Sequence, residues 1–145
     1  MKTVLIVDDE LDIQSSLSFA LKDEGYEVLT ASSPDEAQKI LESSHIDLGL
    51  FDVWFPVGDG MDLLQYSREK FPNVSVIMMS GHGNIELALK SVRLGAYDFI
   101  EKPLELEKVL VILRNAAATL ELKKENERLV QKIFQKNPLI GESLA

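Results

Sequence analysis

The chain has no cysteine among its 145 residues, which excludes a disulfide framework and any thiolate metal site. Its two histidines, His45 and His82, are too few for a zinc site without carboxylate help. Basic residues are scarce as well: 15 Lys and Arg stand against 24 Asp and Glu, a net charge of −9. That balance works against direct nucleic-acid binding, which needs a basic face to displace counterions. The opening MKTVLIVDDE holds a short apolar run before two aspartates, so neither a signal peptide nor a membrane span is expected there. A cytoplasmic chain without membrane contact is the expectation. No GxxxxGK(S/T) loop occurs, so the chain is not expected to bind ATP.

What is present is the composition of a folded domain, with 46% hydrophobic and 27% charged residues. Short apolar runs alternate with helical patterns. Thr3 to Val7 reads as a buried strand ending on Asp8, Asp9 and Glu10. Leu11 to Glu24 has Ile13, Leu17, Ala20 and Leu21 at helical spacing, with Gly25 as a stop. A second strand, Glu27 to Ala31, precedes Ser33-Pro34-Asp35-Glu36, a helix start with a Ser cap and Pro at the first position. A third strand closes on Asp52, and a helix over Gly60 to Lys70 follows. Val74 to Met79 is a strand ending on Ser80. Asn84 caps a helix containing Ile85, Leu87, Ala88 and Val92, and Tyr97 to Ile100 is a strand that ends on Glu101-Lys102-Pro103. The last helix starts near Leu104 and meets no breaker before Asn137-Pro138. Five strands alternating with five helices predict an α/β fold, a doubly wound parallel sheet with right-handed crossovers and an extended C-terminal helix.

Such a sheet gathers its strand ends on one edge, where ligands bind. Asp8 and Asp9, Asp52, Ser80 and Lys102 all fall there. Each alone would pass as a turn or capping residue, but together they form a set. Carboxylates held close repel one another unless a cation joins them, and a hard cation such as Mg2+ suits one or two carboxylates plus waters. A lysine and a small hydroxyl complete a pocket for phosphoryl oxygens.

The stretches IVDDE, FDVWFPVGDG, MMSGHG and DFIEKP resemble, over residues 1 to about 120, the receiver domain of bacterial two-component response regulators, a flavodoxin-like and CheY-like fold. The resemblance implies that Asp52 accepts a phosphoryl group from a sensor histidine kinase. It implies that Asp8, Asp9, Asp52 and the backbone carbonyl of Trp54 hold Mg2+, and that Ser80 and Lys102 contact the phosphoryl oxygens. Ser80 and Phe99 would be the switch pair, and the Lys102–Pro103 bond would be cis. Catalysis would be limited to the domain's own phosphorylation and its slow reversal. Trp54 and His82, each two residues past a site residue, would overhang the phosphoryl group. The indole should obstruct an attacking water, whereas His82 could orient one. Gly49 departs from the apolar residue expected within the third strand, marking local weakness or a close backbone approach.

Beyond Leu120 the helical pattern continues. Leu106, Leu110, Leu113, Ala117 and Leu120 form one stripe, and Leu122, Asn126, Leu129 and Ile133 a second, offset by two positions. The offset predicts a receiver-packed segment followed by a coiled-coil linker over 121–136, with Asn126 setting register in a homodimer seam. One amphipathic helix folding back on its own domain is the alternative. Residues 137–145, NPLIGESLA, resemble the opening of the AAA+ domain of NtrC-type, sigma-54-dependent activators, whose ATPase and DNA-binding domains would lie downstream. Two other functions remain open: a Mg2+-dependent hydrolase working through an aspartyl phosphate, and a dimerisation module that is never phosphorylated.

Overall fold

The computed structural model describes the backbone of residues 1–136 and the side chains of residues 1–133. Its elements are β1 (Thr3–Val7), α1 (Leu11–Asp23), β2 (Glu27–Ala31), α2 (Pro34–Ser43), β3 (Leu48–Asp52), α3 (Gly60–Lys70), β4 (Ser75–Ser80), α4 (Ile85–Arg93), β5 (Asp98–Glu101) and α5 (Leu106–Lys136). The five strands form one sheet in the order β2-β1-β3-β4-β5, each pair parallel. Within the described residues no helix is long and apolar enough to cross a membrane.

Alternate strand residues point to opposite faces, and each face carries its own core. Leu5, Val7, Phe51, Val76 and Met78 pack with Ala37 and Leu41 of α2 and with Met61 and Leu64 of α3. Val4, Ile6, Leu48, Leu50, Ile77 and Met79 pack with Leu17 and Leu21 of α1 and with Val109, Leu113 and Ala116 of α5. Both faces of the central strands are covered, which is why β1 and β3 are buried throughout and read as unbroken apolar runs. Gly49 marks a close approach: a Cβ there would lie 2.6 Å from Cε1 of Phe51, whose ring lies over the space.

Two sequence expectations shift, the bounds of β4 and β5 and the start and packed stripe of α5. β4 and β5 lie one residue later than their apolar runs suggest, because Ser80 and Glu101 still pair in the ladder. In α4, Ile85 and Val92 are exposed, and the one fully buried residue is Ser91. α5 begins at Leu106, which is half-exposed, and its buried stripe is Val109, Leu113, Ala116 and Leu120. The helix runs through Leu120 without a break. Burial stops there, and every described side chain from Glu121 to Ile133 is exposed.

Candidate functional site

The parallel strands deliver two carboxylates, a hydroxyl and an ammonium to one edge. Asp8 directly follows β1 and is fully buried; Asp52 ends β3 and is 5% exposed; Ser80 ends β4 and is fully buried. Lys102 follows β5 and reaches back across the edge. Its Nζ donates to Oδ2 of Asp8 at 2.7 Å and to Oδ2 of Asp52 at 3.1 Å, with Oε1 of Glu10 at 3.8 Å. The other oxygen of each aspartate accepts a backbone N–H at 2.9 Å, that of Glu10 for Asp8 and that of Val53 for Asp52.

The loop after Asp52 folds back sharply. Trp54 and Asp59 form an antiparallel bridge, and the Asp59 side chain caps α3 by accepting the Met61 N–H at 2.7 Å. Gly60 is obligatory at that corner, since a Cβ there would lie 1.9 Å from the carbonyl oxygen of Asp52.

Burial raises the Asp52 carboxyl above its ordinary range; Lys102 opposes the rise and Asp8 adds to it. Burial works to lower the pKa of Lys102, but the hydrogen bond to Asp8 and the charges of Asp52 and Asp8 outweigh it, and the net direction is up. Lys102 therefore stays charged, holding together two buried carboxylates that would otherwise repel.

Asp8, Asp9 and Asp52 each offer one oxygen within 4.8 Å of the others. Three hard oxygen donors of net negative charge fit a divalent cation of the Mg2+ type. Asp9 is exposed, so water can complete such a coordination shell. The Lys102–Pro103 peptide is cis.

The hydroxyl of Ser80 accepts the His82 N–H at 3.1 Å. Phe99 is half-buried on β5 with its ring against Gly83, where a Cβ would lie 2.8 Å from Cε1. Trp54 is 53% exposed and, with His82, Asn84, Glu86, Leu87 and Lys90, lines a shallow cavity of about 260 Å³. A larger cavity of about 450 Å³, lined by residues of 41–46 and 70–74, lies at the amino ends of β3 and β4, away from the carboxylates.

A family model described as the response regulator receiver domain matches residues 4–114. The chain belongs to that family. The receiver is 40% identical over 142 residues to the nitrogen assimilation regulatory protein NtrX of Azorhizobium caulinodans, covering 97% of this chain and 31% of that protein. The crystal structure of NtrX from Brucella abortus superposes with a TM-score of 0.83 at 39% identity, over 89% of this chain and 30% of that one. The beryllofluoride-activated NtrC4 receiver domain dimer gives a TM-score of 0.79 at 40% identity, over 83% of this chain and 99% of that one. The chain thus spans about 30% of the length of the curated relatives it matches.

In the receiver, Asp8, Asp9, Asp52 and Lys102 come together, while Ser80 and Phe99 sit on the two neighbouring strands. Leu122, Asn126, Leu129 and Ile133 lie exposed along the far part of α5. The NPLIGESLA segment lies outside the described residues. Two residues at the site were not singled out from sequence. Glu10 supplies an N–H to Asp8 and stands beside Lys102. Gln14 is buried on α1 with its amide directed at the Asp8 carbonyl. The available signal for Gln14 was its spacing from Leu17 and Leu21, which puts an amide on an apolar stripe.

Proposed function

We propose that this receiver takes a phosphoryl group from a sensor histidine kinase onto Asp52, with Mg2+ bound by Asp8, Asp9, Asp52 and the carbonyl of Trp54. The observation that carries the reading is the Asp52 carboxylate itself, buried at a strand end, within cation-sharing distance of Asp8 and Asp9 and bonded to Lys102. An oxygen of Asp52 attacks phosphorus in line as the bond to the donor imidazole nitrogen breaks, and the imidazole leaves with that electron pair. Such a transfer needs positioning and charge neutralisation more than covalent chemistry. A cation held by these carboxylates would supply charge neutralisation there. Lys102, already charged and poised between Asp8 and Asp52, supplies it on the other side by donating to a phosphoryl oxygen.

Phosphorylation adds about −1.5 to −2 charge and strong acceptor oxygens. The Ser80 hydroxyl leaves the His82 N–H to donate to one of them, and Phe99 follows into the space released. This biases a two-state surface formed by α4, β5 and the start of α5. Residues 1–120 act as the receiver, 121–136 as a coiled-coil linker with Leu122, Asn126, Leu129 and Ile133 in a homodimer seam, and 137–145 as the start of an AAA+ domain. The output is control of a sigma-54-dependent ATPase and its DNA-binding domain in the cytoplasm, with no nucleic-acid contact by the receiver. NtrX supplies the relative for the regulator context, and the NtrC4 receiver supplies one that dimerises.

The test is incubation with acetyl phosphate and Mg2+ followed by intact mass. Wild type is expected to gain one phosphoryl mass and Asp52→Asn none; equal labelling of the two proteins overturns the assignment. An unlabelled wild type leaves the unphosphorylated dimerisation module standing, and turnover of many substrate molecules the hydrolase.

A further inference from the structure

Gln14 lies on the buried stripe of α1, where a leucine would satisfy the periodicity that continues through Leu17 and Leu21. A buried amide there is costly unless its hydrogens are used. Its Nε2 is 2.6 Å from the carbonyl oxygen of Asp8, 3.0 Å from Oγ of Ser32 and 3.3 Å from the carbonyl oxygen of Ala31. The Asp8 N–H donates to that same Ala31 carbonyl at 3.1 Å. Gln14 thus holds the backbone of Asp8 against the end of β2.

This grip differs in kind from the others on Asp8. Lys102 binds the carboxylate itself, the atoms a cation must have. Gln14 binds the carbonyl and does not compete, so it stays in place when the carboxylate changes partner. The connection also continues past Ser32. Ser33 caps α2 by accepting the Glu36 N–H at 3.2 Å, and Pro34 at its first position abuts Gly58, where a Cβ would lie 3.0 Å from Cγ of Pro34. Gly58 belongs to the loop that follows Asp52. The corner between β2 and α2 therefore braces the Asp8–Asp9 loop on one side and the Trp54 loop on the other.

We propose that Gln14 is a positioning residue for the cation site: its amide, acting through the Asp8 carbonyl and the Ser32 corner, sets where Asp8 and Asp9 present their oxygens. The inference rests on the cation reading of that site. Hydrogen-bonding partners one layer behind a metal site are worth about 10–100-fold in metal affinity. Trp54, the one tryptophan of the chain, adjoins the site and serves as the optical reporter.

Mg2+ titrations read by Trp54 fluorescence are run on the full chain for wild type, Gln14→Met and Ser32→Ala, with a urea midpoint for each in metal-free buffer. Gln14→Met is expected to raise the half-saturating Mg2+ about tenfold. Ser32→Ala, at a half-exposed position, is expected to move it in the same direction by about two- to threefold, and it decides the matter if Gln14→Met does not fold. A merely structural role predicts a lower urea midpoint with an unchanged Mg2+ titration, and that result overturns the proposal. A wild type that binds no Mg2+ sinks the cation reading itself; a wild type that binds it no better than Gln14→Met and Ser32→Ala sinks only the role of Gln14.

Discussion

Lys102 lies closer to Asp8 than to Asp52, with Nζ–Oδ2 distances of 2.7 and 3.1 Å. The ammonium therefore holds a carboxylate oxygen that a divalent cation would claim, and the two positive charges compete for Asp8. Replacing Lys102 with Met should tighten Mg2+ binding by several-fold, on the order of 1 kcal/mol for one charge near a partly buried pair. The same substitution should lower the urea midpoint in metal-free buffer, since clustered carboxylates lose their neutralising partner, and Mg2+ should restore it. Weaker Mg2+ binding by Lys102→Met would show that the lysine supports the cation rather than opposing it.

Asp52 carries the opposite expectation for stability. Its carboxyl is raised above the ordinary 3.8, chiefly by burial. A folded state that holds the proton more tightly than the unfolded chain loses that advantage as pH rises through the folded pKa. Metal-free Asp52→Asn should thus be more stable than wild type at pH 7. The gap should narrow as pH falls through the raised pKa of the folded carboxyl and be gone below the ordinary 3.8. Urea melts at a series of pH values check the sign, and an Asp52→Asn protein that is less stable throughout contradicts it.

Trp54, two residues past Asp52, stands half-exposed over the cavity it shares with His82. Trp54→Ala should open a path for water and speed loss of the phosphoryl group, by up to about tenfold, equivalent to some 1.4 kcal/mol of barrier. Decay of phosphorylated protein followed by intact mass gives the answer; equal or slower decay means the indole is no barrier.

Gly83 gives Phe99 its resting place. Any side chain at position 83 meets the ring, as a Cβ would lie 2.8 Å from Cε1. Gly83→Ala should cost about 1–3 kcal/mol of stability in the presence of Phe99 and much less in a Phe99→Ala background. A double-mutant cycle by urea unfolding measures the coupling. Additive effects would mean the loop yields without disturbing the ring.

The far part of α5 presents Leu122, Leu129 and Ile133 at 68%, 48% and 55% exposure. Covering them in a paired helix contributes several kcal/mol, at about 25 cal/mol per Å², and association costs offset much of it. Sedimentation should find the chain dimeric and residues 1–120 less so, with beryllofluoride shifting the balance. Monomers under every condition leave the helix an unpaired extension.

Much of the fold and of the candidate site was legible because apolar runs in a doubly wound sheet end at the edge where the polar side chains gather. IVDDE and FDVWF announce both the strand and the carboxylate at its tip, and Lys102 follows the same logic. Legibility failed where polarity and burial part company. Ser80 and Glu101 pair in the ladder despite being polar, so the strands run one residue later than their apolar runs. α4 is the reverse case, with Ile85, Leu89 and Val92 outward and Ser91 inward. The start of α5 carries apolar residues around most of its circumference, from Leu106 to Leu113, so periodicity alone cannot choose the stripe that packs. For Gln14 the sequence shows an amide on the apolar stripe of Leu17 and Leu21, but not its partner, which is a main-chain carbonyl.

The unbroken course of α5 through Leu120 has a mechanical consequence. Its segment Glu121–Lys136 extends about 24 Å at helical rise, and no described side chain from Glu121 to Ile133 is buried. Lys2 pairs with Glu121 at the foot of this segment, beside the amino end of the sheet. A tilt of about 10° there sweeps the far end through about 4 Å, close to the rise of three residues. Ångström-scale repacking around α5 is thereby geared up, with no joint in between to absorb the stroke.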